Sequence, residues 1–218
     1  MIHHHPAGDI LLSYSAGALG ESWSLAVATH LAYCPVCRET VDGADEMGGV
    51  LLEDMAPDPM SAAALSETLS KLDLPEAVAP NALSEDVPLA EQTAVPQPLR
   101  NYLDGTFDDI AWESIGSGAS QYLIPTGDNA QARLLNIPAG TPVPEHSHGG
   151  RELTLVLSGN FSDKFGTFGP GDLEDVDDDT QHRPLAGMDE PCICLAVTDA
   201  PLKFKSWVPR LVQPFIGI

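Results

Sequence analysis

The sequence predicts a chain of two domains, a small α-helical domain followed by an all-β domain. In the first third of the 218 residues, apolar side chains recur at the three- and four-residue spacing of amphipathic helices. In the second half the apolar runs are short, and Gly and Pro interrupt them regularly, which is typical of a β-barrel or β-sandwich. We therefore predict a helical domain over residues 1–75, a linker over residues 76–98 and a β domain over residues 99–218.

The helical domain is built from four predicted segments. They cover residues 10–19, 23–31, 35–51 and 61–72. Pro35 suits the first position of the third helix, because a proline there gives up no intrahelical hydrogen bond. In the fourth helix, Leu65, Leu69 and Leu72 fall on one face, which indicates an amphipathic helix.

The linker and the β domain differ sharply in composition. The linker is rich in Ala and contains Pro80, Pro88, Pro96 and Pro98. Each proline lacks an N–H donor and disfavours helix at the preceding residue, so we expect a tether that lets the flanking domains move independently. Strands of the β domain are predicted over residues 121–124, 133–137, 153–157, 161–165 and 193–197.

The charge excludes several classes of partner. The chain carries 32 acidic against 10 basic residues, a formal net charge of −22. Direct binding to nucleic acid or to an anionic membrane surface is therefore not expected, whereas a basic protein partner would be attracted. The sequence has neither an apolar run long enough to span a bilayer nor a secretory signal, and its four cysteines do not resemble a secreted disulfide framework. We predict a cytoplasmic protein.

A first candidate metal site lies where the second predicted helix meets the third. His30 and Cys34 are four residues apart and project from one helix face, and Cys37 follows at the next helix start. Three N and S ligands require a fourth to complete a tetrahedral zinc site, and the histidines at the N-terminus are available. The alternatives are two buried structural thiols beside an incidental histidine, or a disulfide between Cys34 and Cys37.

In this setting, His5, His30, Cys34 and Cys37 resemble the signature of the zinc-binding anti-sigma domain. The resemblance implies one Zn²⁺ held between helices and a domain that sequesters an extracytoplasmic-function (ECF) sigma factor from RNA polymerase. Spacing does not decide which N-terminal histidine is the ligand. We choose His5, which lies nearest the first helix, with His4 as the alternative.

A second candidate metal site follows Gly140 in the β domain. His146 and His148 alternate along an extended segment and so point to the same side, and Glu152 begins the next predicted strand. Two imidazoles and a carboxylate suit a divalent ion such as Zn, Fe, Mn or Ni. The alternative is a metal-free barrel with a polar interior.

Together with Gly140 and Gly159, these three residues resemble the first cupin motif with every spacing kept. The second cupin motif is matched at Gly171 and at His182, which the resemblance implies as the fourth ligand, but not at three other positions. These are Asp177, Asp179 and Ala186. The acidic run at residues 174–179 is interpreted as a surface turn, the alternatives being a further metal contact or an inter-domain face.

Two further cysteines lie in the last predicted strand. Cys192 and Cys194 flank Ile193 and so share one face of the strand. We interpret them as small buried core residues, the alternative being oxidation-sensitive thiols near the metal.

A zinc anti-sigma-like domain, a linker and a cupin together resemble the ChrR-type transcriptional regulators over nearly the whole chain. The resemblance implies a cytoplasmic anti-sigma factor that releases its ECF sigma factor on an oxidative signal, singlet oxygen or an organic hydroperoxide, through a cupin holding Zn²⁺ or another divalent transition metal. Because many cupins pair, a homodimer through the cupin is an alternative to a monomer. The alternative function is a metal-dependent cupin enzyme, a dioxygenase or an isomerase, since metal ligands alone do not separate sensing from turnover.

Overall fold

The computed structural model of the chain describes residues 2–72, 95–103, 105–147 and 149–200, together with the backbone of residues 203–204. The chain forms two compact units. One contains Met1–Asp45 and Thr93–Ile218, and the other is Glu46–Gln92. In the described part of the chain, no helix combines the length and the apolar character needed to cross a bilayer.

Four α-helices lie in the N-terminal third, in agreement with the predicted number. They are α1 (Gly8–Ser15), α2 (Glu21–Tyr33), α3 (Pro35–Glu53) and α4 (Ala64–Leu72). Pro35 does begin α3, and Cys34 is the residue that separates it from α2. Two short 3₁₀ helices, Gln97–Asn101 and Phe107–Asp109, lead into the β domain.

The β domain contains twelve strands in the described residues. They are β1 (Glu113–Gly116), β2 (Ala119–Ile124), β3 (Gln131–Ile137), β4 (His146–Ser147), β5 (Glu152–Ser158), β6 (Phe161–Asp163), β7 (Gly166–Phe168), β8 (Leu173–Val176), β9 (Gln181–His182), β10 (Leu185–Ala186), β11 (Cys192–Thr198) and β12 (Lys203–Phe204). The main sheet has the order β1-β2-β3-β11-β5-β8, and two three-stranded sheets have the orders β10-β6-β7 and β12-β4-β9.

The main sheet has a different environment on each face. On β5, Leu153 and Leu155 belong to the apolar core that the sheet shares with α1 and α2, whereas Val156 belongs to a smaller core with Phe161 and Phe168 on β6 and β7. Strand alternation therefore sends Glu152 and Thr154 to the side of the smaller sheets, and both are buried.

Helix α2 packs directly on the β domain in the same compact unit. Ser22, Ala26 and His30 recur at every fourth residue and are fully buried. The Ser22 hydroxyl lies 2.6 Å from Asp128 Oδ1 in the β2–β3 loop. Ser22 and Ala26 are small enough to allow a close approach to the sheet, and residues up to 45 form one compact unit with the β domain.

This packing differs from the division of the chain that the sequence predicts. Val95 and Leu99 are buried in the core shared with α2, so the end of the predicted linker is part of the folded unit. The rest of the predicted linker, residues 76–94, lies outside the described residues, and for those residues the tether stays a prediction. The expected independence of the flanking domains does not hold for residues 2–45.

Two candidate metal centres

The first candidate centre brings together the four residues predicted from the N-terminal pattern. The ligand atoms of His5, His30, Cys34 and Cys37 all lie within 4.8 Å of one another. His5 Nδ1 is 3.4 Å from Cys34 Sγ and 3.3 Å from Cys37 Sγ, and His30 Nε2 is 3.3 Å from Cys37 Sγ. Tetrahedral zinc with ordinary Zn–N and Zn–S bonds separates N from S by about 3.5 Å, so this donor set fits the ion.

Three elements deliver these side chains. His30 lies in the last turn of α2, and Cys34 is the residue that ends this helix. Cys37 lies in the first turn of α3, where its N–H points to Cys34 Sγ at 3.4 Å. His5 arrives on the arm that precedes α1, which we define as residues 2–7. Both cysteines are buried and neither forms a disulfide, so the disulfide alternative is not the state of this structure.

Burial sets the protonation of the cluster. Burial lowers the pKa of His30 to about 4, so the ring is neutral at pH 7. Its Nδ1 lies 2.9 Å from the carbonyl oxygen of Gly171, which fixes Nδ1 as the donor and leaves the lone pair of Nε2 facing Cys37. Burial, together with the neighbouring Cys34, raises the pKa of Cys37 to about 12. A divalent cation held by these residues would supply the positive charge that favours the thiolate.

The alternative ligand, His4, lies outside this cluster. Its ring packs on Phe168 at a centroid distance of 4.1 Å, and its Nδ1 is 3.6 Å from Asp172 Oδ1. Asp172 Oδ1 also accepts the backbone N–H groups of His3, at 2.6 Å, and of His4, at 2.9 Å. The arm is thus held on the β domain, and this attachment selects His5 as the residue that reaches the cysteines.

The second candidate centre lies inside the β domain. His146, Glu152 and His182 are buried and offer ligand atoms within 4.8 Å of one another. His146 and His182 are directly paired across β4 and β9, and their Nε2 atoms are 3.0 Å apart. Nitrogen ligands at right angles on a bond of about 2.1 Å are separated by about 3.0 Å, so the pair fits an octahedral ion. His148, the remaining predicted ligand, lies outside the described residues.

Two buried carboxylates stand behind His182: Asp163 was not singled out from the sequence, and Glu174 was considered only within the acidic run, where a metal contact was an alternative to the surface turn. His182 Nδ1 is 3.1 Å from Asp163 Oδ2 and 3.2 Å from Glu174 Oε1. Burial raises the pKa of Glu174. Burial opposes a charged imidazole, but the carboxylates of Glu174, Glu152 and Asp163 together outweigh it and raise the pKa of His182. Metal-binding histidines commonly give their second nitrogen to a carboxylate, which orients the ring.

The interpretation of the acidic run as a surface turn is therefore wrong at its start. Glu174 is buried on β8, whereas Asp177 and Asp179 are exposed, as a turn requires. Strand alternation was the signal that could have predicted the burial of Glu174. Leu173 enters the core shared with the helices, so Glu174, the next residue, must face the opposite side of the sheet.

The cysteines of β11 face the same interior. Cys192 and Cys194 are buried and unbridged, as expected for core residues. A hydrogen bond with Cys192, together with burial and the negative charges of Glu152 and Glu174, raises the pKa of Cys194. Cys194 is thus a protonated thiol close to the carboxylates of the second centre.

Comparison with known proteins now places the chain. A family model described as the ChrR cupin-like domain matches residues 104–201. Over its full length the chain is 44% identical to the anti-sigma-E factor ChrR of Cereibacter sphaeroides, and the match covers 99% of that relative. The chain belongs to the ChrR family of anti-sigma factors. A crystal structure of Rhodobacter sphaeroides SigE in complex with the anti-sigma ChrR is also similar, at 39% identity and a TM-score of 0.80, covering 91% of this chain and all of that one.

The ChrR relationship decides between the two interpretations of the cupin. The predicted fold class, a helical domain followed by a cupin, is confirmed by the family model and by the similar crystal structure. ChrR proteins are anti-sigma factors, so the chain is a regulator and not an enzyme, and the dioxygenase or isomerase alternative is not supported.

Proposed function

We propose that this chain binds an ECF sigma factor and keeps it from RNA polymerase. The observation that carries the proposal is the full-length similarity to an anti-sigma-E factor, together with the similarity to ChrR in its complex with SigE. The acidic charge of the chain favours a basic protein partner and disfavours direct binding to nucleic acid or a membrane surface. Because the partner acts on RNA polymerase, the protein would work in the cytoplasm.

The surface that suits this partner lies in the unit Glu46–Gln92. We define the apolar helix faces as the exposed large apolar residues on the second half of α3 and on α4. They are Met47, Val50, Leu51, Leu52, Leu65, Leu69 and Leu72. None of the residues of α4 is buried, and only Cys37 and Val41 are buried on α3. Apolar helix faces of this extent are characteristic of surfaces that bury themselves in a partner.

The metal centres give the proposed regulator its sensing chemistry. We propose Zn²⁺ at the centre of His5, His30, Cys34 and Cys37, because two thiolates and two imidazoles are a common structural zinc set. For the cupin centre we propose Zn²⁺ or another divalent transition metal, held by His146, Glu152, His182 and, as the motif implies, His148.

We further propose that an oxidative signal, singlet oxygen or an organic hydroperoxide, releases the sigma factor and that the cupin metal is needed for this response. The argument rests on the donor sets: thiolates at one centre are oxidisable, and the other centre lies beside Cys194. A homodimer through the cupin is the alternative to a monomer, and the mass of the purified complex distinguishes one copy of the chain from two.

The first test is co-purification of the full chain with a candidate ECF sigma factor, with metal counted on the same sample. We expect a stoichiometric complex with about two metals per chain. Two metals without a bound sigma factor would argue against the anti-sigma proposal for that partner. A single metal would remove one of the two proposed centres.

A substitution on the apolar helix faces makes the test sharper. Leu69→Asp replaces a leucine that is 52% exposed, so little packing within the chain is lost, but it places a charge where a partner would bury a leucine. The loss of about 2 kcal/mol corresponds to about thirtyfold weaker binding. Lys71→Asp, on the opposite side of α4, is the matched control and should bind normally. Equal affinity of both variants would exclude α4 from the interface.

A further inference from the structure

A single short segment of the cupin contacts both candidate metal centres. We define the shared segment as residues 171–174, the turn and first residues of β8. On one side, the Gly171 carbonyl oxygen lies 2.9 Å from His30 Nδ1. Asp172 Oδ1 accepts two N–H groups of the arm, and Leu173 N donates to the carbonyl oxygen of His4 at 3.1 Å. The cupin thus orients one ligand of the N-terminal centre and holds the arm that carries another, His5.

On its other side the same segment contacts the cupin centre. Glu174 Oε1 is 3.2 Å from Nδ1 of His182, whose Nε2 faces His146. Only one residue, Leu173, separates Asp172, which contacts the arm, from Glu174, which contacts the cupin ligand. Strand β8 is paired along its length with β5, which begins with the cupin residue Glu152.

The segment is built for close contact and has little freedom to adjust. Asp172, Leu173 and Glu174 are all buried. Gly171 has a φ of +89°, and a Cβ at this position would lie 2.8 Å from Ile2 Cδ1 and 2.9 Å from Tyr33 Cβ. Glycine is therefore required both by the backbone conformation and by the approach of the arm and of α2.

We propose that the shared segment couples the two centres, so that a metal bound at the cupin raises the affinity of the N-terminal centre, and the reverse. A metal at the cupin fixes His182, which fixes Glu174 and the start of β8. The ordered segment then presents the Gly171 carbonyl and the Asp172 carboxylate to His30 and to the arm. Two ligands that order the same element bind with positive cooperativity, and the coupling is necessarily reciprocal.

In this arrangement Gly171 and Asp172 are positioning residues for the N-terminal centre. The inference rests on the two metal sites proposed above, but it does not depend on the sigma factor. Its experiment contains no sigma factor, so a failure here leaves the proposed partner untouched, and a failure to bind sigma leaves this inference untouched.

The experiment titrates the full-length chain with Co²⁺ in competition with a chelator. Only the N-terminal centre has predicted thiolate ligands, so sulfur-to-cobalt charge-transfer absorption reports that centre alone. Asp172→Asn is the first variant. In the wild type, Oδ1 of Asp172 accepts the backbone N–H groups of His3 and His4, and Oδ2 accepts the N–H of Gly169. In the asparagine variant one of these oxygens becomes an NH₂ group, which faces an N–H donor whichever way the amide is turned. We expect at least tenfold weaker cobalt binding at the thiolate centre.

The matched control is Asp178→Asn, which removes the same charge from an exposed position on the following turn. Its cobalt affinity should equal that of the wild type. Amide hydrogen exchange of residues 2–8 provides a second readout, because Asp172→Asn should increase exchange of the arm while strands β5 and β11 stay protected. An unchanged arm together with an unchanged affinity would overturn the positioning role.

The coupling itself is tested by a double-mutant cycle with His146→Ala, which removes a cupin ligand on β4, outside the shared segment. We expect His146→Ala to weaken cobalt binding at the thiolate centre about fivefold or more, and to have a much smaller effect when Asp172→Asn is already present. Equal effects of His146→Ala in both backgrounds, or no effect in either, would refute the coupling.

Discussion

Asp128 provides a quantitative test of the packing of α2 on the cupin. Its Oδ1 lies 2.6 Å from the Ser22 hydroxyl, and its Oδ2 accepts the Ser22 N–H at 3.1 Å in the first turn of α2. The carboxylate therefore bridges the β2–β3 loop and the N-terminus of the helix, where negative charge is also favoured by the helix dipole. Asp128→Ala removes both hydrogen bonds at once.

The expected cost follows from these contacts. A hydrogen bond to a charged group contributes about 1.5–3 kcal/mol, and loss of a helix N-terminal acceptor costs about 1 kcal/mol. Asp128 is partly exposed, so water replaces some of this, and the Ser22 hydroxyl keeps Thr126 and Ala130 as partners. We expect the free energy of unfolding to fall by about 2 kcal/mol, or the melting temperature by about 4–8 °C.

The effect has a defined pH dependence. Burial opposes ionisation, but the hydrogen bonds from Ser22, with a contribution from Thr126, outweigh it and lower the pKa of Asp128 from its ordinary value of 3.8. Because the folded-state pKa lies below the unfolded one, the carboxylate stabilises the fold above about pH 4 and loses this contribution as pH falls through the lowered value. The difference between wild type and Asp128→Ala should be constant from pH 7 to 5 and should narrow below pH 4.

Urea unfolding at several pH values measures both the loss of unfolding free energy and its pH dependence, with Asp189→Asn as a control at an exposed position. Hydrogen exchange adds the position of the effect, because amides of α2 and of the main sheet should lose protection together. Identical urea midpoints for Asp128→Ala and the control would refute the conclusion that residues up to 45 and the β domain form one body.

Two further predictions concern the N-terminal centre and the contacts of α1. Cys37→Ala should lower the metal content by one per chain and destabilise α1–α3, because structural zinc contributes directly to folding. Elemental analysis measures the metal content, and thermal unfolding measures the stability. Unchanged metal content would exclude Cys37 as a ligand. Arg151→Ala breaks ion pairs with Asp9 at 2.7 Å and with Asp175 at 2.6 Å. Because Asp9 is exposed, we expect urea unfolding to show a small loss of stability that decreases as salt is added. A loss of stability that does not depend on salt would contradict this prediction.

The four helices and five of the twelve described strands were predictable because each has a local signal, whereas β1, β4, β7, β8, β9, β10 and β12 were not predicted. Pro35 begins α3 as expected, and the strand around Leu153 and Leu155 follows from its apolar run. The packing of α2 on the sheet was not predictable, because the helix buries small and polar residues as well as Leu25 and Val27. Ser22 and Thr29 look like solvent-facing residues to any argument from hydrophobic periodicity, and both are fully buried.

The candidate sites show the same division. Ligand residue types and spacing brought His30, Cys34 and Cys37 to notice, and the structure brings them together. The choice of His5 over His4 is explained by Asp172, which lies 168 residues further along the chain and fixes the arm. Long-range partners of this kind leave no local pattern, and the same holds for Asp163 behind His182.

Helix α3 connects the metal chemistry to the proposed partner surface within a single element. Its first turns bury Cys37 and Val41, whereas its second half has no buried residue. It also contains Gly43, Gly48 and Gly49, and a side chain at any of the three would meet open space, so close packing does not require them.

Each glycine in a helix interior costs about 1 kcal/mol relative to alanine, so α3 is weak by its own propensity. Its first turns are stabilised by Cys37 and Val41 in the apolar core; under the proposals above, the metal centre and burial of Met47, Val50 and Leu51 in a partner would add to this. Ordering of this helix and binding of the partner are therefore linked, and an event that removes the metal anchor at Cys37 would loosen the helix that carries part of the proposed sigma-binding surface. A rigid, alanine-rich helix in this place would hold its partner but would respond less to the loss of that anchor.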